Sequence, residues 1–469
     1  MHLRTCFTVN CFRQAVLSSL FRQRSASKVM NLACFQLTVN NESRFYQSVS
    51  YSSASRIYKP QSIESESDSG EYEELVNRYL HMPSMGHQVF VIQPYVKWGP
   101  GKKHDTSPEL QLSEAVSLIR TLHKWQVVEE ITVPVKRLDT NVIFGSGNLE
   151  KLKQLVKKNK QISAVFVSVS MLKGFQRREF EETFKVKVFD RYSIVLQIFK
   201  EHAVTSDAKL QVSLAEIPYL RAVLNSSSSS NRQSGGNVVG AMRGSGESDV
   251  DIGKRLLETV EGKLKSKLEK VREQRALSSK KREKLNIPLV AVVGYTNAGK
   301  TSLVKALTGE KAMQPSSNLF ATLDVTVHEG MLPNRLKVLY IDTVGFMSDL
   351  PVPLLQCFLA TLEDVALADV ILHICDLSHP NVKAQAANVL HTLTSLHVSE
   401  ELIKNMITIG NKCDKDELYS LSELNLEPVK ISATQMNGIN SLTNTIEKAI
   451  MKATKRKNLT IRVPAGGDE

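Results

Sequence analysis

Residues 289–301, "LVAVVGYTNAGKT", place an apolar run directly before the pattern G-x-x-x-x-G-K-[ST], which spans Gly294–Thr301. This pattern connects a buried strand to a helix, and its glycines let backbone N–H groups face a polyphosphate. The helix predicted from "SLVKALTG" adds the positive end of its dipole. The stretch therefore predicts an α/β fold that binds a nucleoside triphosphate at the end of a strand.

The phosphate loop and two later motifs supply the groups that a triphosphate and its Mg²⁺ require. In the loop itself, Lys300 is expected to reach the β- and γ-phosphates and Thr301 to ligate Mg²⁺. Thr322, in "FATLDVT", is placed to close over the γ-phosphate and complete the Mg²⁺ shell, in a segment ordered by GTP. The strand "VLYIDTVG" ends with Asp342 for the magnesium and Gly345 for an N–H contact with the γ-phosphate.

Two more motifs predict that the base is guanine. In "NKCD", the Asp414 carboxylate can accept two hydrogen bonds from the guanine edge, which adenine does not offer. Asn411 is expected to brace the loop, the Lys412 stem to cover the ring, and Ala433 of "SAT" to donate its N–H to the guanine carbonyl. All five motifs occur in order at strand ends, which predicts a GTPase.

The predicted site residues fall into three sets. The nucleotide contacts are Gly294, Tyr295, Thr296, Asn297, Ala298, Gly299, Lys300, Thr301, Ser302, Asp342, Gly345, Asn411, Lys412, Asp414, Ser432, Ala433 and Thr434. The Mg²⁺ ligands are Thr301, Thr322 and Asp342, and the residues that assist hydrolysis are Asn297, Lys300, Thr322 and Gly345.

The residue after the D-x-x-G motif is Phe346, where Ras-like GTPases have a glutamine that orients water. A phenyl ring cannot hydrogen-bond to the attacking water, so either another group positions the water or the ring must retract. Asn297 could help hold a monovalent cation such as K⁺ against the β- and γ-phosphates. The alternative is that Asn297 only stabilises the loop by hydrogen bonding.

The charge distribution points to an anionic partner and a targeting segment. The 469 residues carry a net charge of +12, with a pI near 9.2, which favours a partner such as RNA, although part of the charge could belong to a removable leader. Residues 1–41 are rich in Arg and Ser and contain no Asp or Glu, which is typical of a mitochondrial presequence and predicts a matrix protein. A disordered cytosolic tail is the alternative. No apolar run is long enough to span a membrane, and the six cysteines form no CxxC pair or His/Cys cluster.

Strand and helix patterns alternate in two separate regions, which predicts two α/β domains joined by a helical segment. The predicted order is a presequence (1–45), a flexible spacer (46–85), an N-terminal α/β domain (86–224), a Ser/Gly-rich loop (225–249), a basic helical segment (250–286), a GTPase domain of mostly parallel strands with helices on both faces (287–455) and a short tail (456–469). The basic helices could contact nucleic acid or simply present a solvated face.

Over residues 87–455 the sequence resembles the HflX family of GTPases, and most closely its mitochondrial branch. The resemblance is carried by "VVGYTNAGKTSLVKALTG", "IDTVGFMSDLP" and "FLATLEDVALADVILHICDLSHP", and by "VFDRYSIVLQIFKEHAVTSDAKLQVSLAEIPYL", which other phosphate-loop GTPases lack. It implies binding to the large ribosomal subunit and its rRNA, GTP-dependent splitting of ribosomes and, in the mitochondrial branch, late large-subunit assembly. It also associates Asn297 with potassium-dependent hydrolysis. We expect a monomer.

The sequence departs from the family pattern in three places, one of which is that the usual Arg pair after the Gly-rich loop is replaced around Gly253 and Lys254. Ser245 stands in "RGSGE", where the family loop usually has proline. The family commonly continues into a small C-terminal domain, whereas this sequence stops at "PAGGDE", so we expect that domain to be truncated. Two other functions remain as alternatives: a GTPase of mitochondrial tRNA modification, and a signalling switch that binds a protein effector.

Overall fold

The computed structural model describes residues 72, 76, 86–233, 249–284, 286–316, 318–320, 322, 325–348, 354, 365–395, 398–421, 424 and 426–457. The predicted presequence, most of the predicted spacer, the glycine-rich part of the predicted loop and most of the predicted tail lie outside these residues. In the described part of the chain, no helix is both long and apolar enough to cross a membrane.

The N-terminal α/β domain is built on a parallel sheet with the order β2-β1-β3-β4. Its elements are β1 (Gln88–Val96), α1 (Pro108–Thr121), β2 (Gln126–Val135), α2 (Ser146–Lys158), β3 (Ala164–Val167), α3 (Gly174–Phe184), β4 (Lys187–Phe189) and α4 (Arg191–His202). Ser107 caps α1 by accepting a hydrogen bond from the Leu110 N–H, and proline occupies the first turn. Because β1 and β3 have helices on both faces, nearly all of their side chains are buried.

Two long helices follow, α5 (Ser206–Gln233) and α6 (Asp249–Lys284). Ion pairs of Arg221 with Glu261 and of Arg275 with Asp207 join them. Since partner numbers rise along one helix as they fall along the other, the pair is antiparallel. Leu257 of α6 is fully buried in the core of the N-terminal domain, which attaches the pair to that domain.

The predicted GTPase domain has a six-stranded sheet with the order β10-β9-β8-β5-β7-β6, parallel except for β6, which pairs antiparallel to β7. Its elements are β5 (Leu289–Gly294), α7 (Lys300–Thr308), β6 (Thr326–Met331), β7 (Lys337–Asp342), β8 (Val370–Asp376), α8 (Val382–Ser395), α9 (Glu400–Lys404), β9 (Ile407–Asn411), β10 (Val429–Lys430) and α10 (Ile439–Ala453). The predicted fold class is confirmed. The carboxyl ends of β5, β7 and β9 meet at one edge, where open parallel sheets bind ligands.

Three local features differ from the sequence predictions. Helix α5 continues to Gln233, through the serine run predicted as loop, because the first helix breakers of that stretch, Gly235 and Gly236, come only afterwards. In the predicted flexible spacer, Tyr72 donates a hydrogen bond to Glu216 at 2.9 Å and Val76 is buried in the core of the N-terminal domain, so these two residues are packed. Strand β2, which lies at the edge of its sheet and alternates irregularly, was not predicted.

Candidate functional site

The phosphate loop adopts a conformation that depends on two special residues. Asn297 has φ +59° and Gly299 has φ +98°, both in the left-handed region that asparagine and glycine tolerate best. A Cβ atom on Gly299 would lie 2.3 Å from Asn411 Nδ2, so only glycine fits this position. The loop then enters α7 at Lys300.

Lys300 is buried beneath the loop that it serves. Its Nζ donates hydrogen bonds to the carbonyl oxygens of Tyr295 at 2.9 Å and Gly294 at 3.3 Å. Burial lowers the pKa of Lys300 to about 8, and the negative charge of Asp342 opposes this shift. A buried ammonium group with only carbonyl partners close by is suited to an anionic ligand.

The three predicted Mg²⁺ ligands converge, although they come from three separate segments. Thr301 Oγ1 lies 2.7 Å from Asp342 Oδ2 and 2.9 Å from Thr322 Oγ1, and Thr322 Oγ1 lies 3.2 Å from the same Asp342 oxygen. Burial raises the pKa of Asp342, and its Oδ1 is buried with no hydrogen-bond partner among the described residues. Hydroxyl and carboxylate oxygens in this arrangement fit a hard divalent cation such as Mg²⁺.

The predicted guanine-binding segments are bonded to the phosphate loop. The Asn411 amide donates to the Ala298 carbonyl at 2.9 Å and accepts from the Ala433 N–H at 3.1 Å, so one side chain joins three of the predicted motifs. The Ser432 hydroxyl donates to Asp414 at 2.7 Å and lowers the pKa of that carboxyl group. Asp414 is therefore oriented and ionised, as an acceptor for two N–H groups must be.

These segments enclose a cleft of about 520 Å³, within the usual size range of small-molecule sites. Of the predicted site residues, those that line it are Thr296, Asn297, Gly299, Lys300, Thr301, Ser302, Thr322, Gly345, Asn411, Lys412, Asp414 and Thr434. The others, Gly294, Tyr295, Ala298, Asp342, Ser432 and Ala433, do not line the cleft. The sequence interpretation missed five lining residues, Pro315, Ser316, Asn318, Phe320 and Lys415, although Phe320 begins "FATLDVT" and Lys415 directly follows "NKCD".

Phe346 lies behind the site. Its ring is 4% exposed and belongs to the hydrophobic cluster that contains Val293 and Ile341. Its backbone holds the phosphate loop, because its carbonyl accepts from the Thr296 N–H at 2.7 Å and its N–H donates to Gly294 at 3.1 Å. The aromatic residue therefore supports the loop and does not block the cleft.

The Tyr295 side chain, predicted as a nucleotide contact, points away from the cleft. Its hydroxyl lies 3.1 Å from Glu114 of α1 and 3.0 Å from the Ser348 hydroxyl, and it accepts from the Ser348 N–H at 2.9 Å. Arg191 of the N-terminal domain donates to Glu114 at 2.5 Å and to the Ser348 carbonyl at 3.1 Å. Thus Tyr295 connects the phosphate loop to the N-terminal domain and to the segment after D-x-x-G.

The segment before Thr322 is also attached to the N-terminal domain. The Phe320 ring is 2% exposed and packs edge-to-face on Phe199 of α4, with ring centroids 4.8 Å apart. His202 Nδ1 lies 3.0 Å from the Phe320 carbonyl oxygen, a distance at which the ring N–H donates a hydrogen bond. Leu319, Phe320, Val344 and Met347 are all members of the hydrophobic core of the N-terminal domain. Both segments that flank the phosphate-loop end of the cleft therefore pack into that domain.

This fold and this cleft define a phosphate-loop GTPase. Three family profiles match the chain: GTP-binding GTPase N-terminal over residues 109–200, GTP-binding GTPase Middle Region over 202–282, and 50S ribosome-binding GTPase over 289–412.

Known proteins are similar along most of the chain. The human Putative GTP-binding protein 6 is 42% identical over 86% of this chain and 77% of its own length. A GTPase HflX from Lacrimispora saccharolytica is 34% identical over 72% of this chain and 78% of its own. The crystal structure of a GTP-binding protein from Sulfolobus solfataricus in complex with GDP aligns at 22% identity and a TM-score of 0.41, over 78% of this chain and 99% of that one.

The chain belongs to the HflX family of GTPases, which confirms the resemblance found in the sequence. It binds guanine nucleotides and hydrolyses GTP.

Proposed function

We propose that this GTPase associates with the mitochondrial large ribosomal subunit and acts in ribosome splitting and in large-subunit assembly. In this proposal GTP binding sets the position of the N-terminal domain and the α5–α6 helix pair, and these parts contact the subunit and its rRNA. Hydrolysis then releases the protein.

The packing of the nucleotide-sensing segments into the N-terminal domain carries the proposal. Phe320 lies two residues before Thr322, and Val344 lies next to Gly345, the two residues expected to contact the γ-phosphate. A shift in either segment must move side chains in the core of the N-terminal domain, because closely packed interiors do not deform freely. The output of the nucleotide switch is thereby directed to that domain.

Charge and family membership support the ribosome as the partner. Helix α6 contains 12 Lys and Arg residues and 7 Asp and Glu residues, so its net charge favours an anionic partner. The profile that matches residues 289–412 is described as a 50S ribosome-binding GTPase. The acid-free, Arg- and Ser-rich residues 1–41 support a mitochondrial matrix location, where that partner is the mitochondrial large subunit.

The geometry of the cleft supports a role for each charged and polar group around the triphosphate. Lys300 pairs with the β- and γ-phosphates, and Thr301, Thr322 and Asp342 hold Mg²⁺ through their converging oxygens. When bound, Mg²⁺ neutralises charge on the phosphate oxygens. Gly345 lets its segment approach closely, since a Cβ there would lie 2.7 Å from Thr296 Cγ2 and 3.0 Å from Lys300 Nζ.

Asn297 is the residue best placed to assist hydrolysis with a K⁺ ion. Its side chain is exposed, lines the cleft, and makes no hydrogen bond to any of the described residues. The alternative in which its amide braces the loop by hydrogen bonding is therefore less favoured, although its left-handed backbone does suit the turn. The Phe346 ring faces the core and leaves water positioning to other groups.

Co-sedimentation with purified mitochondrial large subunits tests the proposal. The full chain with a non-hydrolysable GTP analogue should pellet with the subunits at low salt, and its affinity should fall steeply as salt rises. The same protein with GDP is the matched control and should bind more weakly. Protein that stays in the supernatant with the GTP analogue at low salt would contradict the proposed function.

A further inference from the structure

The N-terminal domain has an exposed surface at the carboxyl edge of its sheet. This surface is formed by the loops after β1 and β2 and by the start of α3. Four apolar side chains there are exposed: Trp98 by 75%, Val142 by 63%, Phe175 by 47% and Leu138 by 38%. The only other tryptophan of the sequence, Trp125, is 7% exposed. Exposed apolar side chains grouped in one region, with a tryptophan among them, are typical of surfaces that contact a partner.

Lysines accompany both exposed rings. The Nζ atoms of Lys97 and Lys102 lie 5.7 and 5.8 Å from the centre of the Trp98 ring, and Lys173 Nζ lies 5.9 Å from the centre of the Phe175 ring. Within the described residues, no carboxylate forms an ion pair with Lys97 or Lys102. The surface is thus aromatic and cationic.

The segments that carry the two rings are linked through the loop after β2. Trp98 and Leu138 line a shared groove of about 280 Å³. The loop that follows Leu138 is fastened to the start of α3, because the Gln176 amide donates to the Thr140 carbonyl at 2.8 Å and Lys173 donates to the Asn141 side chain at 3.1 Å. We call this region the Trp98 surface and define it by Lys97, Trp98, Lys102, Leu138, Lys173 and Phe175.

We propose that the Trp98 surface binds unpaired RNA, with a base stacked on Trp98 and the adjoining phosphates against Lys97 and Lys102. Exposed rings between lysines match the two features of a single strand, since every base has a π face and every linkage has a negative charge. A double helix hides its base faces, and an acidic protein segment would use the lysines but not the open ring. The choice of RNA over DNA rests on the proposed ribosome association.

Tryptophan fluorescence of the full chain tests the surface, because a stacked base quenches the indole. In a Trp125→Phe variant, Trp98 is the only reporter, and a short oligouridine should quench it with an affinity that falls as salt rises. Trp98→Ala, followed by the anisotropy of a labelled oligouridine, should weaken binding about 5- to 100-fold, the range expected for loss of one stacked base. Val142→Ala, a change at an exposed apolar residue outside the residues that define the Trp98 surface, is the matched control and should stay within twofold.

The outcomes separate this proposal from the proposed function. No quenching of Trp98, or equal oligouridine binding by Trp98→Ala and the unchanged protein, overturns the Trp98 surface as an RNA site. A Trp98 signal that responds to anionic lipid vesicles but not to RNA also overturns it. If Trp98→Ala loses oligouridine binding while the unchanged protein fails to pellet with large subunits, the RNA site stands and the ribosomal function fails. GTP hydrolysis without RNA should be the same in Trp98→Ala and the unchanged protein.

Discussion

Truncation of one buried ring, Phe320→Ala, should weaken the binding of GTP analogues more than the binding of GDP. The ring is almost fully buried against Phe199, and it lies two residues before Thr322, whose hydroxyl reaches Thr301 and Asp342. Deleting a buried phenyl group typically costs about 3–5 kcal/mol. If about 1.4 kcal/mol of this loss destabilises the conformation in which Thr322 is closed over the cleft, affinity for a GTP analogue falls about tenfold. GDP lacks the γ-phosphate that Thr322 is proposed to contact, so its affinity should change less than twofold.

Titration of a fluorescent GTP analogue and a fluorescent GDP into the full chain measures this ratio. Phe180→Ala is the matched control, since its ring is also buried but packs on Phe144 and Phe184 in another part of the N-terminal domain. Phe180→Ala should lower the free energy of unfolding in urea by a similar amount. It should leave the ratio of the GTP-analogue and GDP affinities unchanged. A folded Phe320→Ala protein whose GTP and GDP affinities fall equally, or not at all, would refute the coupling.

Three further predictions concern the cleft. Burial holds the pKa of Lys300 near 8 in the nucleotide-free protein, and a bound triphosphate raises this pKa, so binding takes up a proton near and above pH 8. Affinity for a GTP analogue should therefore be about fourfold lower at pH 8.5 than at pH 7. Isothermal titration checks this, and a flat profile to pH 8.5 would contradict it. Asp414→Asn should weaken GTP binding roughly 10- to 100-fold and favour xanthosine nucleotides, as measured by competition between the two nucleotides. The control Asp416→Asn, at an exposed neighbouring residue, should do neither in the same assay. Replacing Na⁺ by K⁺ should speed GTP hydrolysis, and Asn297→Ala should remove the difference; equal rates of the unchanged protein in both salts would exclude the cation.

The parts of the site that can be predicted from sequence are those whose chemistry requires adjacent residues. The turn from Gly294 to Thr301 and the "NKCD" strand end are recognisable because consecutive backbone and side-chain groups meet one ligand. Likewise, the strands of both sheets are mostly recognisable, because buried parallel strands are continuously apolar. Edge strand β2 is only partly buried and lacks that pattern, so it was missed.

The contacts between the two domains could not be predicted, because they join residues far apart in the chain. His202 and Phe320 are separated by 118 positions, and Glu114 and Tyr295 by 181. Tyr295 was interpreted as a nucleotide contact because it lies within the phosphate loop, at a position where the pattern allows any residue. No local property of "GYTNAGKT" indicates that this side chain crosses to another domain.

Reciprocal linkage between nucleotide and ribosome offers the most direct test. If GTP favours the N-terminal domain arrangement that binds the large subunit, the subunit must tighten GTP binding by the same factor. The measurement is the dissociation constant of a non-hydrolysable GTP analogue with and without saturating mitochondrial large subunits. We expect the constant to fall by the factor that separates the GTP-analogue-bound and nucleotide-free forms in subunit affinity, and Phe320→Ala to reduce that factor. An unchanged constant in the presence of subunits would contradict the coupling of this GTPase to the ribosome.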